Sequence, residues 1–182
     1  MKALIVIDYT NDFVDGNLPV GQPAIDIEPA VCRLTESFAA QGDFVVMAVD
    51  LHEREDQWHP ETKLFPPHNL RDTDGRALYG RLAEVYNQNR NRIYWMDKTR
   101  YSAFCGTDLE LKLRERGVTE VHLIGVCTDI CVLHTAVDAY NKGFAITVYE
   151  DAVASFNPEG HAWALGHFRS SLGANVTNSQ RG

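Results

Sequence analysis

Among the four cysteines of the sequence, Cys131 lies where a nucleophile would be expected. It comes shortly after the apolar run 121–126, at a point where a strand gives way to a helix. The free amides and the dipole at a helix N-terminus favour the thiolate form of cysteine, and the amides could also bind an oxyanion. Cys131 is therefore the strongest candidate for a catalytic nucleophile. A buried cysteine that only packs is the alternative.

Cys127 lies four residues before Cys131 and leaves a second interpretation open, in which the two thiols form a redox pair. Catalytic disulfide motifs commonly have two residues between their cysteines, whereas three residues separate this pair. The spacing therefore favours the nucleophile over the redox pair.

The segment after the apolar run 44–49 has the composition of a divalent-metal site. Asp50 and His52 are expected on one side of an extended chain, because alternate residues of a strand share a face. Glu61 and His68 follow, and three of the seven histidines (His52, His59 and His68) fall within seventeen positions. Two imidazoles with one or two carboxylates suit zinc, iron or manganese. Solvent-exposed loop histidines are the alternative.

Charged residues also follow two further apolar runs. Asp8 comes directly after the run 3–7, and Asp97 and Lys98 come directly after Met96. Parallel α/β sheets bind their ligands at the carboxyl ends of the strands. If these strands lie side by side, an acid, a cation and a thiol converge on one edge of the sheet.

A repeated unit predicts the elements that position these residues: an amphipathic helix, a glycine, and then a short apolar run. The glycines fit the left-handed position that follows a helix. The three units have helices at 30–41, 109–116 and 130–142, glycines at Gly42, Gly117 and Gly143, and strands at 44–49, 121–126 and 144–149.

Two more strands, 3–7 and 92–96, complete the predicted sheet, and a last helix is expected to begin with Asn157 as its N-cap and Pro158 in its first turn. The strands are almost continuously apolar, which indicates that both of their faces are covered. The pattern predicts a three-layer α/β/α sandwich with a mostly parallel central sheet. The aperiodic segment 51–74 is expected to be either a functional or a disordered loop.

Length and composition limit the function classes. The 182 residues carry 17 basic and 25 acidic side chains, a net charge of −8, which argues against a nucleic-acid binder. The apolar run 3–7 is too short for a membrane span or a signal peptide, so we expect a cytoplasmic protein with free thiols. We predict one domain at 1–176 and a polar C-terminal tail at 177–182.

Taken together, the motifs resemble the isochorismatase-like cysteine hydrolases, and within them the nicotinamidase (pyrazinamidase/nicotinamidase) branch. The resemblance covers nearly the whole chain, and its motifs are specific as a set. They are Ile7-Asp8, Asn11-Asp12-Phe13, Asp50-Leu51-His52, Lys98-Thr99, Ser102-Ala103-Phe104 and the run Gly125-Val126-Cys127-Thr128-Asp129-Ile130-Cys131-Val132.

The resemblance implies the isochorismatase-like hydrolase fold and a catalytic triad of Asp8, Lys98 and Cys131. Asp8 would take the thiol proton and later return it to the leaving ammonia, while Lys98 holds the pair electrostatically. Backbone amides of Cys127 and Cys131 would form the oxyanion hole, and the Val126–Cys127 peptide bond would be cis. The implied reaction converts nicotinamide to nicotinate and ammonia through a thioester, in NAD salvage, with pyrazinamide as a second substrate.

The resemblance further implies one divalent metal ion that orients the pyridine ring, with zinc favoured and iron or manganese as alternatives. A homo-oligomer is also expected, without nucleic-acid or membrane partners. The implied metal ligands are Asp50, His52, Glu61 (directly or through water) and His68, and the implied walls of the ring pocket are Phe13, Phe65 and Tyr101.

Two other functions are left open at this point. One is another isochorismatase-like amidase or ureidohydrolase, acting on a different small amide. The other is a non-catalytic relative that binds a ligand or senses redox state through Cys127 and Cys131. The complete set of triad and metal-ligand residues disfavours the non-catalytic relative.

Overall fold

Short apolar runs form the strands of one sheet in the computed structural model, which describes residues 1–180. All neighbouring strands are parallel, in the order β3-β2-β1-β4-β5-β6. The predicted sandwich is therefore confirmed, with a sheet that is parallel throughout. The strands are β1 (Lys2–Ile7), β2 (Phe44–Asp50), β3 (Ile93–Lys98), β4 (Glu120–Val126), β5 (Ala145–Ala154) and β6 (Asn175–Thr177).

Seven α-helices of the described chain cover the two faces of this sheet. Alternate residues of β1 show why both faces are covered: Leu4 and Val6 enter one apolar core, and Ile5 and Ile7 enter the other. Helices α1 to α4 pack on the first face and α5 to α7 on the second. The helices are α1 (Asn11–Val14), α2 (Gln22–Asp26), α3 (Glu28–Gln41), α4 (Gly80–Gln88), α5 (Leu109–Glu115), α6 (Leu133–Asn141) and α7 (Pro158–Ser170).

The predicted helix boundaries are confirmed where local chemistry sets them. Gly42, Gly117 and Gly143 have φ angles of 77°, 65° and 77°, the left-handed conformation that ends a helix. Asn157 caps α7, since its side chain accepts a hydrogen bond from the Gly160 amide.

Other elements differ from the sequence prediction. The helix predicted at 130–142 begins with a π-helical turn at Thr128–Val132, in which the Val132 amide donates to the Cys127 carbonyl, and α6 starts only after it. The strand predicted at 144–149 continues to Ala154, because β5 has a register shift against β4 and then pairs with it again. Helix α4 was not predicted; it ends at Asn89 and not at a glycine, so it lacks the repeated pattern of helix, glycine and strand.

The loop that follows β2 remains irregular but ordered. It contains a 3-10 turn at Pro60–Lys63, and a parallel bridge between His52 and Leu70 folds it back on itself. The loop thus returns to the end of β2, where the candidate site residues lie.

The boundary between a domain at 1–176 and a tail at 177–182 stays a prediction. Thr177 is the last residue of β6 and pairs with Tyr149, so this residue belongs to the sheet. The Ser179 amide donates to Asp151, and residues 181–182 lie outside the described part of the chain. None of the helices described is long and apolar enough to cross a bilayer.

Candidate active site

The carboxyl ends of three strands of the sheet bring Asp8, Lys98 and Cys131 together, as the sequence predicted. Asp8 follows β1, Lys98 is the last residue of β3, and Cys131 lies in the π-helical turn after β4. The Lys98 Nζ atom lies 2.8 Å from Asp8 Oδ2 and 3.7 Å from Cys131 Sγ. All three side chains are buried, so their charges interact with little screening by water.

Lys98 is a fully buried ammonium group whose donors are all directed at acceptors of the site. Besides Asp8 it contacts Asp50 Oδ1 at 2.6 Å and donates to the Arg100 carbonyl at 3.1 Å. Burial alone would lower the pKa of Lys98, but the two carboxylates Asp50 and Asp8 outweigh it and raise the pKa well above its usual value. Lys98 is therefore a permanent positive charge at the centre of the site.

Asp8 is held in an uncommon backbone conformation. Its φ angle is 53°, which non-glycine residues rarely adopt. Its amide donates to the Ala48 carbonyl, and its Oδ1 atom accepts from the Asp50 amide at 2.8 Å. Burial and then the charge of Asp50 raise its pKa to about 6, with Lys98 opposing them. This carboxylate is thus more basic than an ordinary aspartate.

The surroundings of the Cys131 thiol favour its protonated form. Burial raises its pKa well above the usual value, while the neighbouring Lys98 opposes this increase. A reaction that uses the thiolate needs a base beside the sulfur, and Asp8 is the basic carboxylate in this site. Thr135 supports the turn from within α6, because its hydroxyl donates to the Cys131 carbonyl at 2.7 Å.

The structure separates the two cysteines of the proposed redox pair. Cys127 packs into the core beneath α1 to α4, whereas Cys131 packs into the core beneath α5 to α7. Burial and then Asp129 raise the pKa of Cys127 to about 12. These surroundings do not favour a redox pair. The Val126–Cys127 peptide bond is cis, as the resemblance implied.

A second cluster, next to the triad, consists of the four predicted metal ligands. Asp50, His52, Glu61 and His68 are all buried, and each offers a ligand atom within 4.8 Å of the others. His52 Nε2 lies 3.5 Å from Asp50 Oδ2, and His68 Nε2 lies 3.5 Å from Glu61 Oε2. Two imidazoles with two carboxylates form a donor set typical of zinc and related metals.

The hydrogen bonds of two histidines distinguish a ligand from a supporting residue. His68 Nδ1 lies 2.8 Å from the Pro66 carbonyl, so it carries the proton, and the buried Nε2 is left with a free lone pair and no hydrogen bond. In His59, Nε2 donates to the Thr99 carbonyl and Nδ1 accepts from the Glu61 amide. His68 therefore fits a metal ion, whereas both nitrogens of His59 are already used.

Asp50 joins the two clusters, because Oδ1 contacts Lys98 and Oδ2 faces His52. Asp8, Asp50 and Cys131 also place potential ligand atoms within 4.8 Å of one another. The Lys98 ammonium already lies among those three residues, and its charge would repel a second cation. The cluster formed with His52 is therefore the better candidate for a metal site.

The aromatic residues predicted to wall a ring pocket lie around these clusters. The Phe13 and Phe65 rings contact the His68 ring edge-on, with centroids 5.1 and 6.3 Å away. Burial and then the negative charge of Glu61 raise the pKa of Tyr101, a side chain that lies close enough to both clusters to interact with Glu61 and Cys131. A cavity of about 400 Å³ opens beside His52, Glu61, Phe65 and His68, although Cys131 does not line it.

Two supporting residues were not identified as such from the sequence. Asn69 has a φ angle of 44°, receives a hydrogen bond from Thr10, and donates its amide to Asp12 at 2.8 Å. Arg76 donates to the Asp50 carbonyl at 2.7 Å and so holds the end of β2. These contacts join residues far apart in sequence, and the only local signal was the polar character of Asn69 beside His68.

Two acids expected near this edge have other partners. Asp97 points away from Lys98, as adjacent strand residues do, and forms an ion pair with Arg76. Asp129 accepts a hydrogen bond from Ser155 at 2.6 Å. Neither acid belongs to the two buried clusters.

Comparison with known proteins gives consistent matches over the whole chain. A family model described as Isochorismatase domain matches residues 2–181. The chain is 64% identical over 179 residues to PncA of Bacillus subtilis, named as an uncharacterized isochorismatase family protein, with 96% of this chain and 98% of the relative covered.

Solved structures also match the chain over nearly its whole length. The crystal structure of nicotinamidase/pyrazinamidase PncA from Bacillus subtilis has a TM-score of 0.96 at 60% identity, covering 97% of this chain and 99% of that one. The crystal structure of the pyrazinamidase of Pyrococcus horikoshii in complex with zinc has a TM-score of 0.85 at 31% identity, covering 97% and 98%.

Proposed function

The chain belongs to the isochorismatase family, and we propose that it is a nicotinamidase, which hydrolyses nicotinamide to nicotinate and ammonia and also accepts pyrazinamide. The observation that carries this proposal is the buried group of Asp8, Lys98 and Cys131, linked through Asp50 to a cluster of metal ligands. Nicotinamide has an amide carbon for the thiol and a pyridine nitrogen for the metal. This reaction serves NAD salvage.

In the proposed mechanism, Asp8 takes the proton of the Cys131 thiol, and the thiolate attacks the amide carbon. The tetrahedral intermediate collapses when the carbon–nitrogen bond breaks, and the proton held by Asp8 leaves with the amine as ammonia. Water attacks the resulting thioester and gives up a proton to Asp8, which passes it to the departing Cys131 thiolate and so restores the thiol. The acid that is released loses its own proton to solvent and leaves as nicotinate. Lys98 keeps its charge throughout and stabilises both the carboxylate and the thiolate.

We assign the oxyanion hole to the backbone amides of Cys127 and Cys131. Both residues belong to the turn between β4 and α6, where backbone amides lie outside the regular hydrogen bonding of the strand and the helix. Only the backbone of Cys127 would take part, because its side chain packs into the core on the other face of the sheet.

We propose zinc as the metal of the four-ligand cluster, with iron or manganese as alternatives of the same donor preference. The free Nε2 of His68 and the two buried carboxylates support a divalent cation there. When bound, the ion would supply a Lewis-acid position that takes the pyridine nitrogen and orients the ring. Phe13, Phe65 and Tyr101 would enclose that ring.

A substrate panel on metal-reconstituted protein tests the proposal. Nicotinamide and pyrazinamide should release ammonia together with their acids. Benzamide has the amide but lacks the ring nitrogen, so its turnover should be poor if the metal orients the ring. N-carbamoylsarcosine tests the ureidohydrolase alternative, since the amidase for that compound from Thermoplasma acidophilum is 32% identical to this chain.

Two variants test the mechanism separately from the substrate. Cys131→Ala removes the nucleophile and Asp8→Asn removes the base, so each should lose nearly all turnover while it still binds zinc. If the wild type releases no nicotinate, the substrate assignment is refuted. Appreciable turnover by either variant would refute the mechanism instead.

We place this reaction in the cytoplasm, where the four free cysteines of the chain would stay reduced. The homo-oligomer stays a prediction, which light scattering on the purified protein can test.

A further inference from the structure

The turn that carries the nucleophile is held from outside by the start of helix α7. Thr128, three residues before Cys131, is fully buried, and its hydroxyl oxygen lies 2.8 Å from Nδ1 of His161. His161 is in the first turns of α7 and is separated from Thr128 by 33 positions. This contact is therefore a tertiary one, made only when α7 packs against the π-helical turn.

The next residue of the turn is held by the same region of the chain. The Asp129 carboxylate accepts a hydrogen bond from Ser155, which follows β5, and it lies against the N-terminus of α7. A Cβ atom at Gly160 would come within 2.0 Å of Asp129 Oδ2, so only glycine permits this approach. A carboxylate at a helix N-terminus is favoured by the free amides and the helix dipole.

The state of the His161 ring suits this contact. Burial lowers the pKa of His161, with Asp129 opposing it, so the imidazole is neutral near neutral pH. A neutral ring has one acceptor nitrogen, and the Thr128 hydroxyl can donate to it. Neither residue contacts the metal ligands through any hydrogen bond or ion pair described for this chain.

We propose that His161 is a positioning residue for the amidase reaction, acting through Thr128 to fix the turn that presents the Cys131 thiol and the oxyanion-hole amides. The π-helical turn departs from regular helical hydrogen bonding, and the Thr128–His161 contact holds it together with the hydrogen bonds from Thr135 and Ser155. The inference rests on the proposed function. A small displacement of a nucleophile can cost a large factor in rate even when the fold is intact.

Variants of His161 with different hydrogen-bonding atoms test the inference. His161→Leu removes the acceptor while it keeps an apolar side chain of similar size. His161→Asn keeps a polar side-chain atom close to the position of Nδ1, so it should retain the hydrogen bond with the Thr128 hydroxyl. Thr128→Val removes the hydroxyl from the other side. His167→Asn is the matched control, since His167 lies on the same helix, where its ring stacks on Trp163.

The expected result is a split between kcat and KM. In His161→Leu, kcat should fall about tenfold or more while KM stays within about threefold of wild type. His161→Asn should recover most of kcat, and His167→Asn should match the wild type. Combining His161→Leu with Thr128→Val should cost no more than either change alone, because both remove one contact.

Three outcomes would overturn the inference. The first is a kcat of His161→Leu within about twofold of wild type. The second is a kcat of His161→Asn as low as that of His161→Leu. The third is a loss of kcat that is explained by the fraction of unfolded protein, as measured in thermal melts.

A second readout separates this inference from the proposed function. The rate of Cys131 alkylation by iodoacetamide, followed by mass spectrometry of the Cys131 peptide, needs no substrate. It should change in His161→Leu and return to the wild-type rate in His161→Asn. If the wild type hydrolyses no nicotinamide but this pattern holds, the proposed substrate fails and the positioning role stands. Equal alkylation rates in all variants would overturn the positioning role.

Discussion

Replacing Gly125 with alanine should disable the enzyme, although it adds only one methyl group. Gly125 lies near the end of β4, opposite Ile7 of β1, and Asp8 is the next residue after Ile7. Its φ angle of 109° lies outside the range that L-residues readily adopt. A Cβ atom there would come within 2.0 Å of the Ile7 carbonyl oxygen. The added methyl group therefore pushes on the strand end that holds the proposed base.

The size of the effect follows from that distance. Ordinary van der Waals contact begins near 3.4 Å, so the methyl group and the Ile7 carbonyl must separate by about 1.4 Å. Displacing a catalytic group by about 1 Å can cost about a hundredfold in rate. Overpacking adds about 1–3 kcal/mol of destabilisation, and the positive φ angle adds about 1–2 kcal/mol more.

Gly143→Ala is the matched control for the backbone strain alone. Gly143 also has a positive φ angle, 77°, but nothing lies within 4 Å of the position its Cβ atom would take. It should lose about 1–2 kcal/mol of stability and keep full activity. Urea unfolding gives the stability of both variants, and ammonia release from nicotinamide gives kcat/KM at a temperature where both are folded.

The reasoning would be refuted if Gly125→Ala kept more than about a tenth of the wild-type kcat/KM, since a displaced Asp8 could not support that rate. It would equally be refuted if Gly143→Ala lost as much activity. In that case backbone strain, rather than the contact with Ile7, would account for the loss.

Three further predictions concern the metal cluster and the remaining thiols. His68→Ala should weaken zinc binding far more than His59→Ala, because of these two histidines only His68 has a buried nitrogen without a hydrogen bond. Competition with a chelator measures the zinc affinity, and equal weakening in the two variants would contradict the prediction. Cys127→Ala should cost about 1–2 kcal/mol of stability but keep its amidase activity, since only its backbone is assigned a role; a loss comparable to that of a triad variant would contradict it. At pH 8 the exposed Cys105 should be alkylated before Cys32, because burial raises the pKa of Cys32 to about 11 and so lowers its thiolate fraction. Mass spectrometry of the two cysteine peptides measures the order of alkylation.

The catalytic chemistry could be predicted because its residues follow local patterns. Strands β1 to β4 contain apolar runs, and Asp8, Asp50 and Lys98 follow or end such runs, so a parallel sheet must bring them to one edge. Glycines after helices and the Asn157 cap also act over a few residues, which is why these boundaries were predicted well. Helix α4 was missed, because it ends at Asn89 and not at a glycine, so it lacks the helix–glycine–strand pattern.

Other parts of the site depend on contacts between distant segments. Periodicity cannot show that His59 is a supporting residue, because that follows from its hydrogen bond to Thr99, 40 positions away. The role of Asn69 likewise depends on Asp12, 57 positions away. The separation of Cys127 and Cys131 into two cores depends on the π-helical turn, for which the sequence has no recognised signal.

The sequence by itself determined which residues can do the chemistry and at which edge of the sheet they gather. All strands of a parallel sheet run in the same direction, so their carboxyl ends lie at the same edge. The tertiary structure alone decided which of those residues touch. It placed Lys98 between Asp8 and Asp50, gave His68 rather than His59 the free nitrogen, and brought His161 to the nucleophile turn. The reason is physical: the types of residues are set by local sequence, whereas distances of 3 Å between them are set by how the strands and helices pack.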